Sequence, residues 1–382
     1  MFGIIIATLI KMAIMLGFAI ALAAVLTWME RRQSAMMQDR IGPERAYLLP
    51  PREGQTLGRI RLWGLVHPIA DSLKLAAKED FIPPRANRLI YTIAPIFALA
   101  PALLVFAVIP FGPPVLLDQL GSTLPRAADE LASVVAASQA AGTFHHLQVA
   151  HLDIGILFIF AITSLSVYGA ALGGWSSHNT YGLLGGMRAS AQMFSYEITM
   201  GMAVMGAFLV YGTLEPNAVV EAQIKGHWGI VSQPLGFLLF FFAAIAETKR
   251  APFDLPEGES EIVGYFVEYS GARFMMFYLG EFVEIVFAAC LVTTLYFGGW
   301  HLPGLEVWSL PHWLMTVIGV GVFCTKVFLL CFLQLAIRWS VPRMRYDQLM
   351  KLGWKGLLPA SIINVVITAG VVLWSTAATA VR

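Results

Sequence analysis

Between Ala246 and Glu261 the chain reads AETKRAPFDLPEGESE. Five carboxylates (Glu247, Asp254, Glu257, Glu259 and Glu261) and two bases (Lys249 and Arg250) fall within fifteen residues. Glu268 follows seven residues after Glu261. Carboxylates crowded in this way raise one another's pKa and titrate as a coupled set, so the stretch can answer a nearby change of charge with protons. Pro252, Pro256 and Gly258 prevent a continuous helix and make it a folded loop. Phe253 and Leu255 interrupt the charges with apolar contact that suits an amphiphilic ligand or a partner protein. An ordinary solvated acidic loop is the alternative on composition alone.

More ionisable residues fall inside apolar runs. Glu197 sits in SAQMFSYEITMG, with Ser190 and Gly201 on its helix face. Glu281 and Glu284, at i and i+3, share a face of another run. Lys11 and Lys326 lie in two further runs. Charged groups at membrane depth are costly and mark functional sites by default. Two carboxylate positions and two lysines at that depth are consistent with a buried proton-exchanging chain; helix-fixing Lys–Glu pairs are the structural alternative.

These residues need a membrane scaffold. The chain has 382 residues, 58% hydrophobic and 13% charged, with mean hydropathy +0.71. A soluble domain carries about a quarter charged residues. The composition therefore predicts an all-α polytopic integral membrane protein, a single membrane domain over 1–382. Eight spans are expected, near 3–28, 89–111, 152–172, 188–212, 235–246, 275–298, 314–337 and 357–378. The fifth is short, as expected where backbone lines a cavity. The run from Gly3 to Trp28 is too long for a signal-peptide core and is read as a retained span.

Loops 29–88, 173–187, 247–274 and 338–356 hold eleven, none, three and five of the 25 Lys and Arg, with Arg188 at the edge of the second. The opposite side holds Arg126, Lys225 and Arg382. The positive-inside rule makes the first set cytoplasmic and puts both termini outside. Within 29–88, GLVHPIADSLKLAAKED is an amphipathic helix, ended by FIPPR, that lies at the interface or against other protein. The outer loop 112–150 is expected to hold a helix at 125–140, and no inverted repeat is visible. His145, His146 and His151 invite a metal, but no accompanying carboxylate or cysteine pattern is read here, so no metal is expected. Cys290, Cys324 and Cys331 are too few for an iron–sulfur cluster and read as packing residues. The net charge of +1 suggests no nucleic-acid partner.

ERRQSAMMQDRIGPERA (30–46), HPIADSLKLAAKEDFIPPRANRLIYTIAP (67–95), AITSLSVYGAALGGWSSHNTYGLLGGMRASAQMFSYE (161–197) and AETKRAPFDLPEGESEIVGYFVEYSGARFMMFYLGEF (246–282) closely resemble one family. It is the quinone-site membrane subunit of respiratory complex I, the H-type subunit of bacterial NADH:quinone oxidoreductase. The likeness covers nearly all of the chain outside 112–148. It implies a subunit that docks the peripheral arm and walls the quinone tunnel, in the bacterial inner membrane. Ubiquinone or menaquinone would be the substrate. FMN and iron–sulfur clusters would sit on partner subunits, beside other membrane-arm subunits. By position it assigns Arg31, Arg40, Gly42, Pro43, Arg250 and Phe253 to the quinone site. It assigns Glu197, Glu247, Asp254, Glu257, Glu259, Glu261, Glu268 and Glu281 to proton coupling. A membrane anchor of a hydrogenase-type complex is the near alternative, and an independent ion-coupled transporter the distant one. The long matched motifs and the missing repeat favour the quinone enzyme.

Overall fold

The computed structural model describes residues 2–44, 46, 62–116, 144–258, 261–304 and 311–380. Among the described residues, seven helices are long and apolar enough to cross a membrane. They are α1 (Phe2–Met37), α3 (Arg88–Leu104, continued as a 3₁₀ turn to Val108), α4 (Gly155–Ser176), α5 (Thr180–Tyr211), α8 (Gly271–Tyr296), α9 (His312–Ser340) and α11 (Leu358–Ala380). Shorter helices are α2 (His67–Ala77), α6 (Pro216–Lys225), α7 (Pro234–Glu247) and α10 (Tyr346–Lys351), the last joined to α11 by a π-helical turn over Leu352–Leu357. α7 is a shorter apolar helix beside these seven, and the start of α1 and the end of α11 lie at the same end of the bundle. The fold is that of an all-α polytopic membrane protein; one two-residue pairing, Val115–Leu116 with Phe144–His145, is added at that end.

α8 is apolar all round, the mark of a helix enclosed by others. From Gly280 to Tyr296 every residue is buried except Glu284. α1, α3, α7 and α9 all pack on it. α4 and α5 are spliced by glycine. A Cβ on Gly174 would stand 2.3 Å from the Gly182 carbonyl oxygen, which is backbone and cannot yield. Small residues of this kind let membrane helices approach closely. That explains a difference from the expected loop at 173–187. The glycine-rich stretch reads as a loop but is helix on both sides of a turn at 177–179. Asn179 caps α5, its Oδ1 accepting from the Tyr181 N–H at 3.0 Å.

α1 also runs nine residues past its expected end at 28. Its polar last turns are held by α9: Gln33 Nε2 donates to the Phe332 carbonyl at 3.2 Å, and Glu30 meets Arg338 at 2.6 Å. The amphipathic helix is present as α2, with Ile69 and Leu73 exposed and Pro68 buried. Much of 338–356, expected as a loop, is helical. α10 is tied to α5 by the Tyr196 hydroxyl, which donates to the Leu349 carbonyl at 2.9 Å. The expected helix at 125–140 lies outside the described residues.

Candidate functional site

α7 has only 14 residues, about 21 Å of helix against a hydrocarbon core of about 30 Å. Its last residue, Glu247, is therefore inside the bundle. The chain then turns with Lys249 at φ 56°, a left-handed conformation that a non-glycine residue adopts where surrounding structure enforces it. Backbone at this depth needs internal partners. Gln192 of α5 supplies two, its Nε2 donating to the Ala246 carbonyl at 2.7 Å and to the Phe253 carbonyl at 2.8 Å. Met344 N–H donates to the Pro252 carbonyl at 3.2 Å. Phe253 and Leu255 are buried and anchor the turn.

This dip carries its charges into the core. Lys249 meets Glu284 of α8 at 3.6 Å. Arg250 meets Glu281 of α8 at 3.1 Å and Glu30 of α1 at 3.6 Å, and its guanidinium lies 4.3 Å from the Phe282 ring centroid. Arg338 closes the set on the far side of Glu30. Burial alone would push the Lys249 ammonium pKa down, but Glu284 and Glu281 more than offset it and the net direction is up. The same contest raises Arg250, through Glu281 and Glu30. Both bases are therefore charged and ion-paired.

The acids of the dip are frustrated. Burial pushes the Glu257 carboxyl well above the ordinary carboxylate range, and the Glu281 charge and a hydrogen bond to Glu281 push the same way. Glu257 thus favours its protonated form beside Glu281. Asp254 is pushed up to about 6 by burial, against the pull of Arg343 at 3.8 Å. Tyr265 donates to Glu281 at 3.3 Å, so its hydroxyl is locked in the protonated form by burial and by that carboxylate.

Beyond Lys249 and Glu284 lies a cavity of ≈ 20 Å³, lined by Thr163, Ser166, Glu247, Thr248 and Glu284 among others. That is room for one water with polar partners on several sides. Glu197 accepts from the Ser164 hydroxyl and opens on an apolar groove between α4 and α5 that includes Phe160, Phe194 and Gly201. Ionisable groups therefore run from the loop to the cavity, Asp254, Glu257, Glu281, Arg250, Lys249, Glu284 and Glu247, and Glu197 stands apart from them at the outer wall of the bundle.

The other expected positions divide. Arg31, Arg40, Gly42 and Pro43 come together around an open cleft of ≈ 380 Å³, with His67. Arg31 pairs with Asp71 of α2 at 2.5 Å. The Arg32 guanidinium packs over Gly42, where a Cβ would stand 2.8 Å from it. Arg250 and Phe253 are not at that cleft but in the buried dip. Glu261 is exposed and paired with Arg188 at 2.7 Å. Glu268 accepts from the Asn179 amide at 2.8 Å, beside the cap of α5. Neither enters the buried chain, and Glu259 lies outside the described residues.

Lys11 and Lys326 are at the opposite end. Lys326 donates to the carbonyls of Phe297, Gly299 and His301 at 2.7, 2.9 and 2.6 Å, and Lys11 to the His146 carbonyl at 2.8 Å. They fasten loops and do not join the carboxylates. Sequence reasoning did not single out Glu30, Lys249 and Arg338 for the site. The signal available was a charged residue in or beside each apolar run, without any indication of which partners would meet.

The chain matches the family model described as NADH dehydrogenase over residues 10–369. It is 38% identical over 356 residues to an H-type NADH-quinone oxidoreductase subunit of Cytophaga hutchinsonii, covering 93% of each chain. It is 40% identical over 368 residues to a counterpart of the same name type from Geobacter metallireducens, covering 96% of each. With a further H-type NADH-quinone oxidoreductase subunit, from Syntrophobacter fumaroxidans, it shares 41% over 365 residues, 95% of each. Identity at this level over almost the full length of both chains shows common membership, and the chain belongs to the NADH dehydrogenase family, among the H-type membrane subunits of the NADH-quinone oxidoreductase enzyme complex.

Proposed function

We propose that this chain provides the quinone entrance and the first proton-coupling segment of a proton-translocating NADH:quinone oxidoreductase in a bacterial inner membrane. The observation that carries the reading is the run of buried and half-buried ionisable groups from Asp254 to Glu247. The cleft at Arg31, Arg40, Gly42 and Pro43, with the exposed apolar face of α2 beside it, suits a substrate with a polar head and a long apolar tail. Its wall of cationic side chains favours the developing negative charge of a quinone being reduced. The electrons come from redox groups on peripheral-arm subunits docked at this basic face, and α4 and α5 present Glu197 to another membrane-arm subunit.

Quinone reduction takes up two electrons and two protons. A proton demand near the dip draws on the carboxyls gathered there. Glu257, raised by burial and by Glu281, is the acid disposed to carry a proton between Glu281 and the loop. Its loss returns a negative charge beside Glu281, which weakens the hold of Glu281 on Arg250 and leaves Lys249 and Glu284 to respond. The water-sized cavity then connects Glu284 to Glu247, with Glu197 on α5 as the next carboxylate toward the neighbouring subunit.

The test is Glu257→Gln and Glu197→Gln in the assembled complex. NADH oxidation by an artificial acceptor should be unchanged, while quinone reduction or coupled proton pumping falls about tenfold or more. Full pumping in both variants would overturn the coupling role. Equal loss in both assays would mean that the charge changes disrupt assembly instead.

A further inference from the structure

The end of the bundle opposite the carboxylate chain carries a cluster that none of this uses. His151 and Asp153 lie just before α4, and Glu215 just before α6. One ligand atom from each, the imidazole nitrogen and a carboxylate oxygen from both acids, falls within 4.8 Å of the others. His151 Nε2 stands 3.0 Å from Glu215 Oε1. Around a tetrahedral zinc ion with bond lengths of about 2.1 Å, ligand atoms sit about 3.4 Å apart. Small side-chain rotations close the gap, and His151 and Asp153 are exposed enough to make them.

The backbone under the cluster is rigid. Ile156 N–H donates to the Leu214 carbonyl at 3.0 Å, joining the two ligand-bearing segments. A Cβ on Gly155 would meet Pro216 Cδ and Val108 Cγ1, each at 2.7 Å, so the start of α4 rests directly on the start of α6. Glu215 N–H is turned inward to the Thr213 hydroxyl at 3.1 Å, and its carbonyl accepts from Val219 in the first turn of α6. Behind His151 the ring of His146 packs edge-on, centroids 4.6 Å apart, and fixes the face that His151 presents. His146 is itself placed by the Asn217 amide at 3.3 Å. The Lys11 ammonium is engaged by the His146 carbonyl and does not pair with the acids of the cluster.

The geometry points to a divalent transition-metal site at this end of the chain, formed by His151, Asp153 and Glu215 with water completing the shell. One imidazole and two carboxylates favour Zn²⁺ over the all-oxygen cations Ca²⁺ and Mg²⁺. The ion would clamp α4 to α6 at the outer surface and would do so whatever the reaction at the other end. The bland alternative is a His151–Glu215 ion pair with Asp153 merely nearby.

Zinc decides between them. The intact complex, purified through a tag on this chain and stripped with chelator, is titrated with ZnCl₂ against a chromogenic zinc indicator, and retained zinc is counted by mass spectrometry. Wild type should keep one more zinc than Asp153→Asn or His151→Ala, and these variants should bind that ion about 100-fold or more weakly. His145→Ala, outside the cluster, should bind as wild type does. Asp153 is exposed, so Asp153→Asn leaves folding and quinone reduction intact and isolates the ligand. Zinc content and affinity equal to wild type in both Asp153→Asn and His151→Ala would overturn the site, as would a wild-type complex that binds no zinc beyond these variants.

Discussion

Removing the Arg250 guanidinium should uncover a single orphaned carboxylate, and the penalty should depend on pH in a calculable way. Arg250 serves Glu281 at 3.1 Å and Glu30 at 3.6 Å. Glu30 retains Arg338 at 2.6 Å, so the acid left exposed to the low dielectric is Glu281, which is 4% accessible. Stripping one partner from a buried pair costs about 3–5 kcal/mol. The carboxylate escapes part of that by binding a proton. From an ordinary Glu value of about 4.3, protonation costs about 4 kcal/mol at pH 7 and about 1 kcal/mol at pH 5. In Arg250→Met the destabilisation relative to wild type should therefore be about 4 kcal/mol at pH 7 and about 1 kcal/mol at pH 5. A pH-independent loss of about 1–2 kcal/mol from the Phe282 contact adds to both. Arg250→Met with Glu281→Gln should recover most of the pH-dependent part. The assay is thermal inactivation of the detergent-solubilised complex at pH 5, 6 and 7, each variant against wild type at the same pH. Equal destabilisation at pH 5 and pH 7, or a double variant no better than Arg250→Met, would refute the assignment of Arg250 as the counter-charge of Glu281.

Asp254 gives a second pH effect, of defined sign. Burial raises its carboxyl to about 6, so the folded state binds the proton more tightly than the unfolded one. Stability should fall as pH rises from about 4 to about 6, by up to about 3 kcal/mol, and Asp254→Asn should flatten that part of a melting-temperature profile. Gly174→Ala should prevent accumulation of the chain in the membrane, because the added methyl meets backbone, while Gly370→Ala, with nothing within 4 Å, should accumulate normally; immunoblotting of membranes reads both. A cysteine at the exposed Glu261 should react with impermeant thiol reagents only from the cytoplasmic side, and labelling from the other face would overturn the orientation.

The sequence already displayed the spans, the amphipathic helix and the density of acids around 247–268, because apolar run length and charge are local properties. Glu281 and Glu284 on one face followed from helical spacing alone. What spacing could not give was depth and partnership. Glu30 and Arg250 are 220 residues apart in sequence, and nothing local marks them as a pair. Nor does composition say that 248–258 folds into the bundle; that follows from α7 ending early and from Gln192 standing ready for its carbonyls. The glycines near 173–187 misled because their flexibility is visible in the sequence and their role as a helix contact is not. Lys326 does lie within a membrane-length helix, as its apolar neighbours indicate, but nothing local shows that its ammonium reaches three carbonyls past the end of α8.

The shortness of α7 has a consequence for how the protein is made. A helix of 14 residues cannot span a bilayer alone, and the segment behind it carries Lys249 and Arg250. Their counter-charges are Glu281 and Glu284, synthesised next, and Glu30, already in place on α1; Arg338, which holds Glu30, arrives last. The dip therefore cannot settle at depth as it emerges. Its counter-charges are complete only once α8 and α9 have both been made.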